Sequence, residues 1–280
     1  MLSKLQVQQQ FKQRSNWRGF LTLSRDLFFL GAAWYLAAQW GESILLSIVL
    51  IGFIGAVQFA LGESLLHEAS HGNLFQTAWL NKLVGNLIAF SIFTTLKEWR
   101  QEHSTHHGHL LSEQDHLTHD YQAYQLDQGI APFQLWVARP LLGRVGFQWL
   151  RSEGLGLFKH LGVFVGYSVV LLLVYYNNAL GFFLLYWLLP LVWVYSSILY
   201  WSEITDHHLA ASTTRTNTSF FWNFMFHNGG YHWVHHEYPF IPWYLLPTAN
   251  QELKDVAVDQ VSGWWGMYQV LVEDYQQKQP

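Results

Sequence analysis

The chain has 280 residues, of which 51% are hydrophobic, 18% aromatic and 12% charged, with a formal net charge of −4. Soluble domains carry about 25% charged residues, so this composition points to a lipid bilayer, and the slight negative balance offers no basic face for nucleic acid. With no cysteine, the chain has no disulfide, thiolate zinc site, iron–sulfur cluster or thiolate-ligated haem, which leaves 15 histidines as metal donors.

Residues 1–26 are polar, with Lys4, Lys12, Arg14, Arg18 and Arg25. They lack the apolar stretch and cleavage site of a secretory leader, so the first membrane helix is expected to direct insertion. The first apolar stretch, 27–40, is short and spans only with Arg25 and Asp26 at the interface or with local thinning of the bilayer. The second, 43–62, is long enough to cross a bilayer, which needs about 20 residues. Residues 82–96 are apolar but too short to span, and read as a helix on the membrane surface. Residues 112–132 are polar and read as a loop ending at Pro132. Another span is expected at 157–176, with Lys159 and His160 near its start where side chains snorkel, and a fourth at 180–200.

Two short turns, Gly41-Glu42 and Asn177-Asn178-Ala179, join these stretches into hairpins, and neither contains Lys or Arg. All 15 basic residues lie elsewhere. An excess of basic residues marks the cytoplasmic side, so both termini and the central segment are expected there. The expected fold is all-α and integral to the membrane. Four transmembrane helices in two hairpins carry a cytosolic helical cap, built from residues 63–156 and 201–280, and the whole of 1–280 forms one domain.

The histidines gather in clusters. HEASH sets His67 and His71 four residues apart, on one helix face. HSTHH supplies His103, His106 and His107, and HWVHH supplies His232, His235 and His236, with spacings at which one helical turn offers three ring nitrogens. EITDHH adds His207 and His208 just after the fourth apolar stretch. On the expected topology all of these share the cytoplasmic side. A lone histidine, or a single HxxxH pair, is ordinary; two HxxHH clusters and an HxxxH on one membrane face form a metal-binding constellation. Eight or nine imidazoles exceed the needs of one ion and suit two. Imidazole ligates iron, zinc, copper and nickel, and two irons beside apolar helices suit O2 activation against a hydrocarbon. Glu68, Glu102, Glu203 and Asp206 flank these histidines and are placed to orient ring N–H groups. HEASH also satisfies the H-E-x-x-H pattern of zinc proteases, but a single zinc leaves both HxxHH clusters without a role. Haem or metal-transport sites would call for ligands inside the spans, where the sequence has almost none.

HEASHGNL at 67–74, EHSTHHGHL at 102–110 and HNGGYHWVHHEYPFIPWYLLP at 227–247 resemble the boxes of the membrane fatty-acid desaturase and hydroxylase superfamily in order, spacing and placement. The likeness covers roughly residues 27–247. The segment ITDHHLAASTTRTNTSFFWNFMFHNGGYHWVHH is similar to bacterial members in which an acidic residue and His precede an Arg-Thr-rich stretch. On that pattern His207 takes an extra ligand position, His208 does not, and Asn228 resembles a polar residue ahead of the last box. The resemblance implies two non-haem irons held by His67, His71, His103, His106, His107, His207, His232, His235 and His236, with O2 as co-substrate. It implies a fatty acyl or other lipid-like substrate in a tunnel between cap and membrane. It also implies a separate electron donor of ferredoxin or cytochrome b5 type, since the chain has neither a cytochrome b5 motif nor cysteine. His109, His116 and His119 depart from the pattern and read as cap-surface residues. Hydroxylases, acetylenases and carotenoid ketolases share these boxes; desaturation of an acyl chain is the reading carried forward. Trp201 and Trp233 stand where either a tunnel wall or an interfacial anchor is expected.

Overall fold

The computed structural model describes residues 3–152, 154–253 and 259–278. It is nearly all helix: among the described residues the only strands form one short parallel pair, with Thr216 and Asn217 opposite Gln260 and Val261. Two helices are long and apolar enough to cross a membrane, Ile44–Ser70 with 27 residues and Leu180–His207 with 28. At about 1.5 Å per residue each runs to some 40 Å, whereas the hydrocarbon core is about 30 Å thick. Each helix therefore outruns the slab by about seven or eight residues. The C-terminal turns of the two helices carry His67 in one, and Asp206 and His207 in the other. The spans expected to stop at 62 and 200 continue because no proline interrupts GESLLHEAS or WSEITDH.

The remaining apolar stretches differ more from expectation. Arg144–Lys159 and Leu161–Tyr176 pass the length and apolarity test only together, as a pair bent by 100°. The bend falls at His160, whose extended backbone (φ −118°, ψ 105°) separates the two. Asn16–Trp40 is one unbroken helix of 25 residues capped by Ser15, but Arg18, Arg25 and Asp26 keep it out of the long apolar class. By this measure two helices can cross a membrane, or three with the bent pair, where the sequence suggested four. The surface helix expected at 82–96 is Ala78–Ser91; a new helix, Leu96–His109, starts once the Thr95 side chain caps Glu98 N–H. The polar stretch 112–132 is not all loop. Asp115 caps a helix at His116–Tyr124, its side chain accepting from Leu117 N–H, and this local side-chain bond favours a helix start that composition alone conceals.

The two long helices pack closely. A β-carbon at Gly55 would fall 2.4 Å from Val194 Cβ, so only glycine allows this crossing. Pro190 sits inside the second long helix, where it opens the π-helical segment Pro190–Tyr195 just after another at Leu184–Leu188, and this winding accommodates its missing N–H. Several polar side chains within this bundle find partners inside it, as a bilayer favours. Gln58 Nε2 donates to Trp187 O at 3.0 Å, Trp34 Nε1 to Tyr186 O at 3.0 Å, and the Ser47 and Tyr186 hydroxyls meet at 2.7 Å. At the far end, Arg215 is only 1% exposed and donates to the carbonyls of Thr205 and His208 while pairing with Asp259 at 3.1 Å. It clamps the chain that follows the second long helix. Replacing Gly55 by Leu is expected to cost about 1–3 kcal/mol through overpacking, read as a lowered thermal midpoint in detergent. Gly52→Leu, with open space at its β-carbon position, is expected to leave that midpoint unchanged.

Candidate metal centre

The first long helix delivers His67, and His71, one turn on and on the same face, caps its end. Leu96–His109 passes beneath them and contributes its own i, i+4 pair, His103 and His107, while His235 arrives from the helix His232–Glu237. Ligand atoms of these five all lie within 4.8 Å of one another. A second group, by the same measure, joins His106, His207, His232 and His236. The nine histidines singled out in the sequence thus divide into five and four with none left over. They do not divide box by box. Adjacent residues on a helix point about 100° apart, so His107 and His106 serve different groups, as do His235 and His236. The two HxxHH boxes are reciprocal: one gives its i, i+4 pair to the first group and its middle histidine to the second, and the other does the reverse.

The closest approaches run between Nε2 atoms. His71–His103 is 3.0 Å, His103–His107 2.9 Å and His107–His235 3.0 Å in the first group. In the second, His106–His236 is 3.2 Å and His207–His232 2.9 Å. A neutral imidazole carries one N–H and one lone pair, so such a set of converging Nε2 atoms cannot be satisfied by hydrogen bonds among its own members. Nε2 of His67 is buried with no hydrogen-bond partner at all. A metal ion removes the conflict by taking every lone pair. With metal–nitrogen bonds of about 2.1 Å, neighbouring donors lie about 3.0 Å apart at right angles and about 3.4 Å apart in a tetrahedron. These Nε2 separations of 2.9 to 3.2 Å are of the size shown by donors that share one ion.

The opposite ring nitrogens are oriented from outside. Both oxygens of Asp115 lie 3.1 Å from His106 Nδ1, and Asp115 is fully buried, accepting also from Leu111 and Leu117 N–H. Burial pushes its carboxyl up, but the His106 contact and the two backbone donors outweigh that and bring it down to about 2. His207 Nδ1 donates to Thr213 O at 3.0 Å. Glu68 lies 3.7 Å from His67 Nδ1 and accepts from Trp243 N–H at 3.2 Å, tying the first box to the chain beyond the third. Asp206 lies 3.8 Å from His232 Nδ1. Burial, reinforced by the like charge of neighbouring rings, holds His71, His103, His232, His235 and His236 well below the usual imidazole range and His107 down to about 3. At neutral pH the rings therefore keep the lone pairs that a metal requires.

A cavity of about 190 Å³ reaches both groups, with His67, His103, His106, His207, His232 and His235 on its wall. Phe59, Trp149, Leu199, Trp222 and Phe226 make its apolar side. Trp201 and Trp233 are not on that wall; Trp201 packs instead with Trp136 and Trp264. Of the carboxylates picked out in the sequence, Glu68 and Asp206 stand against rings, while Glu102 and Glu203 line the cavity. Asp115 was missed, because eight residues separate it from His106 and only the turn between two helices brings them together. His208 stands apart from both groups, against Tyr121. His109, His116 and His119 are exposed as expected, although His116 also reaches the cavity.

The model of the fatty acid desaturase family matches residues 42–268, a stretch that holds all nine histidines. The chloroplastic omega-3 fatty acid desaturase of Ricinus communis is 27% identical over 236 residues, which cover 71% of this chain and 50% of that protein. The endoplasmic reticulum omega-3 fatty acid desaturase of Vigna radiata var. radiata is 26% identical, over 71% of this chain and 61% of its own length. A chloroplastic sn-2 acyl-lipid omega-3 desaturase (ferredoxin) of Helianthus annuus is 30% identical over 104 residues, 34% of this chain and 22% of that one. The chain spans about half the length of the first of these curated relatives.

Two outcomes are expected. Asp115→Ala lowers metal affinity by about 10- to 100-fold, with loss of about half the bound metal in a graded chelator titration, whereas Glu113→Ala, exposed two residues away, has no effect. Metal-stripped protein loses stability as pH falls below about 6.5. There the unfolded chain binds protons that the buried rings refuse, so the more protonated unfolded state gains. A thermal midpoint flat between pH 7.5 and 5 contradicts this.

Proposed function

The chain belongs to the fatty acid desaturase family, and from that premise we propose that it is a membrane-bound, O2-dependent oxidoreductase that desaturates a fatty acyl chain. Two non-haem irons would be held by His67, His71, His103, His107 and His235 on one side and His106, His207, His232 and His236 on the other. The observation that carries this reading is the division of all nine into two convergent groups. Bound there, iron supplies the one-electron and O2 chemistry that side chains lack. The chain's own contribution is to hold the rings neutral and aimed, by Asp115 at His106 and Glu68 near His67, and to wall the reaction space with aromatic and aliphatic side chains. A hydrocarbon placed in that space is kept from water and near both groups, as hydrogen abstraction requires. Loss of a second hydrogen from the neighbouring carbon gives the alkene; return of oxygen gives the alcohol of a hydroxylase. A zinc protease of the H-E-x-x-H type would use His67 and His71 and leave seven converging histidines unused.

The reading extends to placement and partners. Residues 1–280 form one domain with four transmembrane helices in two hairpins, both termini and the histidine boxes lying on the cytoplasmic side. The absence of Lys and Arg from the turns at 41–42 and 177–179 supports this. Electrons come from a separate ferredoxin or cytochrome b5 type protein, a reading in line with the ferredoxin named for the sunflower relative.

Detergent-purified protein is expected to hold about two irons per chain, by elemental analysis with Mössbauer spectroscopy after iron-57 loading. One zinc and no iron would sink the proposal. His103→Ala and His236→Ala, one from each group, are each expected to lose desaturation of membrane acyl chains by at least about 100-fold, exceeding the loss of an outer partner. Because the chain has no cysteine, single cysteines report topology without background. Glu42→Cys and Asn177→Cys are expected to react with an impermeant maleimide only from the non-cytoplasmic face, and Gln10→Cys and His119→Cys only from the cytoplasmic one.

A further inference from the structure

The short helix Phe220–Met225 belongs to the stretch 201–280 that the sequence assigns to a cytosolic cap. It nevertheless packs on the first long helix. The Phe59 ring lies 6.3 Å from that of Trp222 and 4.8 Å from that of Phe226, the C-cap residue, and Ser64 Oγ donates to Phe226 O. Crossing a bilayer takes about 20 helical residues, and such a stretch slides by only about seven within the 27 of Ile44–Ser70. Residues 51–63 are common to every placement, and Phe59 is among them. Where this helix crosses the bilayer, Phe220–Met225 therefore lies against its submerged part.

The short helix suits that position. It carries no charge, and Phe220, Phe221 and Phe224 point outward, 83%, 69% and 52% exposed, while Asn223 and Met225 are buried. Hydrocarbon requires backbone groups to be satisfied without water. At the start, Ser219 Oγ accepts from Trp222 N–H. At the end, Arg25 donates to Phe224 O at 2.7 Å and to Met225 O at 3.0 Å, its own charge paired with buried Asp26 at 2.8 Å. The apolar outer surface continues on Asn16–Trp40, where Leu21 and Phe28 flank Arg25 about one turn away on either side and are themselves exposed. The inner side of the short helix is cavity wall: Trp222 and Phe226 line the same space as Phe59. Consecutive residues thus face opposite ways, Phe221 to the outside and Trp222 to the cavity.

We propose that Phe220–Met225 lies within the bilayer as the partition between lipid and cavity, and that the chain to be oxidised enters sideways past Phe221 and Trp222. The partner of this surface is the hydrocarbon of the bilayer. The substrate is then an acyl chain already resident there, not one delivered from the aqueous side by a soluble carrier. The proposal rests on the reading of the cavity as the site of acyl desaturation.

The test uses the full chain, loaded with iron, in phosphatidylcholine vesicles. Since the chain has no cysteine, Phe221→Cys and Phe224→Cys each take one nitroxide, with Gln122→Cys on the helix His116–Tyr124 as an exposed reference. In power-saturation spectroscopy the first two nitroxides are expected to be relaxed by O2 and shielded from a water-soluble nickel chelate, and the reference the reverse. Wild type is photolysed with a phosphatidylcholine bearing a diazirine midway along one acyl chain. Adducts are expected on Trp222 or Phe226 as well as on the outer phenylalanines. Phe221 and Phe224 nitroxides that respond like the reference place the helix in water and overturn the proposal. If those variants do not fold, the wild-type adducts decide. Adducts confined to Phe220, Phe221 and Phe224 overturn the sideways entrance, and adducts on none of these residues overturn the proposal entirely. In both cases the desaturase reading stands if the same samples hold their iron. Samples that take up no iron overturn that reading and the entrance with it.

Discussion

Everything at the metal centre depends on a mismatch of length. Helices Ile44–Ser70 and Leu180–His207 are about 40 Å long against about 30 Å for a hydrocarbon slab, so each is long enough to cross it and still run on for about two turns toward the histidine groups. A helix is the stiffest tether a chain can offer, and here two of them, locked together where Gly55 meets Val194, fix His67 and His207 relative to one another. Loops could carry the same histidines out of the membrane but would not hold ring nitrogens at 3 Å separations against the entropy of ordering them.

The second organising feature is the reciprocal use of the two HxxHH boxes. On each, the i, i+4 pair serves one group and the intervening histidine turns to the other, so each box belongs to both groups. Leu96–His109 and His232–Glu237 therefore cannot shift independently without opening both clusters. The contacts that brace this arrangement come from outside it: Asp115 on His106, Thr213 on His207, Glu68 between His67 and Trp243. Burial keeps the rings neutral, and Phe59, Trp149, Leu199, Trp222 and Phe226 give the space between them an apolar side. Low charge and high aromatic content, which first suggested a membrane, thus also serve the chemistry of the site.

Where the sequence reading fell short, the cause is local. Composition across 112–132 is polar and suggests a loop, but a single Asp115 cap starts the helix His116–Tyr124 and at the same time brings a buried carboxylate to His106. The apolar stretch from 157 suggests a straight span, and one extended residue, His160, turns it by 100°. Hydropathy averages over windows, whereas a cap or a bend is the act of one residue. Trp201 and Trp233 looked as suitable for a cavity wall as Trp149 and Trp222, and nothing short of helix packing distinguishes them.

The sequence by itself determined that the chain is helical, apolar and rich in paired imidazoles, and it identified the nine histidines that converge. Spacings of three and four residues are read along a helix, whose geometry is local and the same in every protein. Tertiary structure alone decided which histidine joins which group, that Asp115 orients His106, and that Glu63 meets Tyr195. Those relations join segments from nine to more than a hundred residues apart. Distances of that kind are set by how helices cross and where they bend, and no spacing along the chain encodes them.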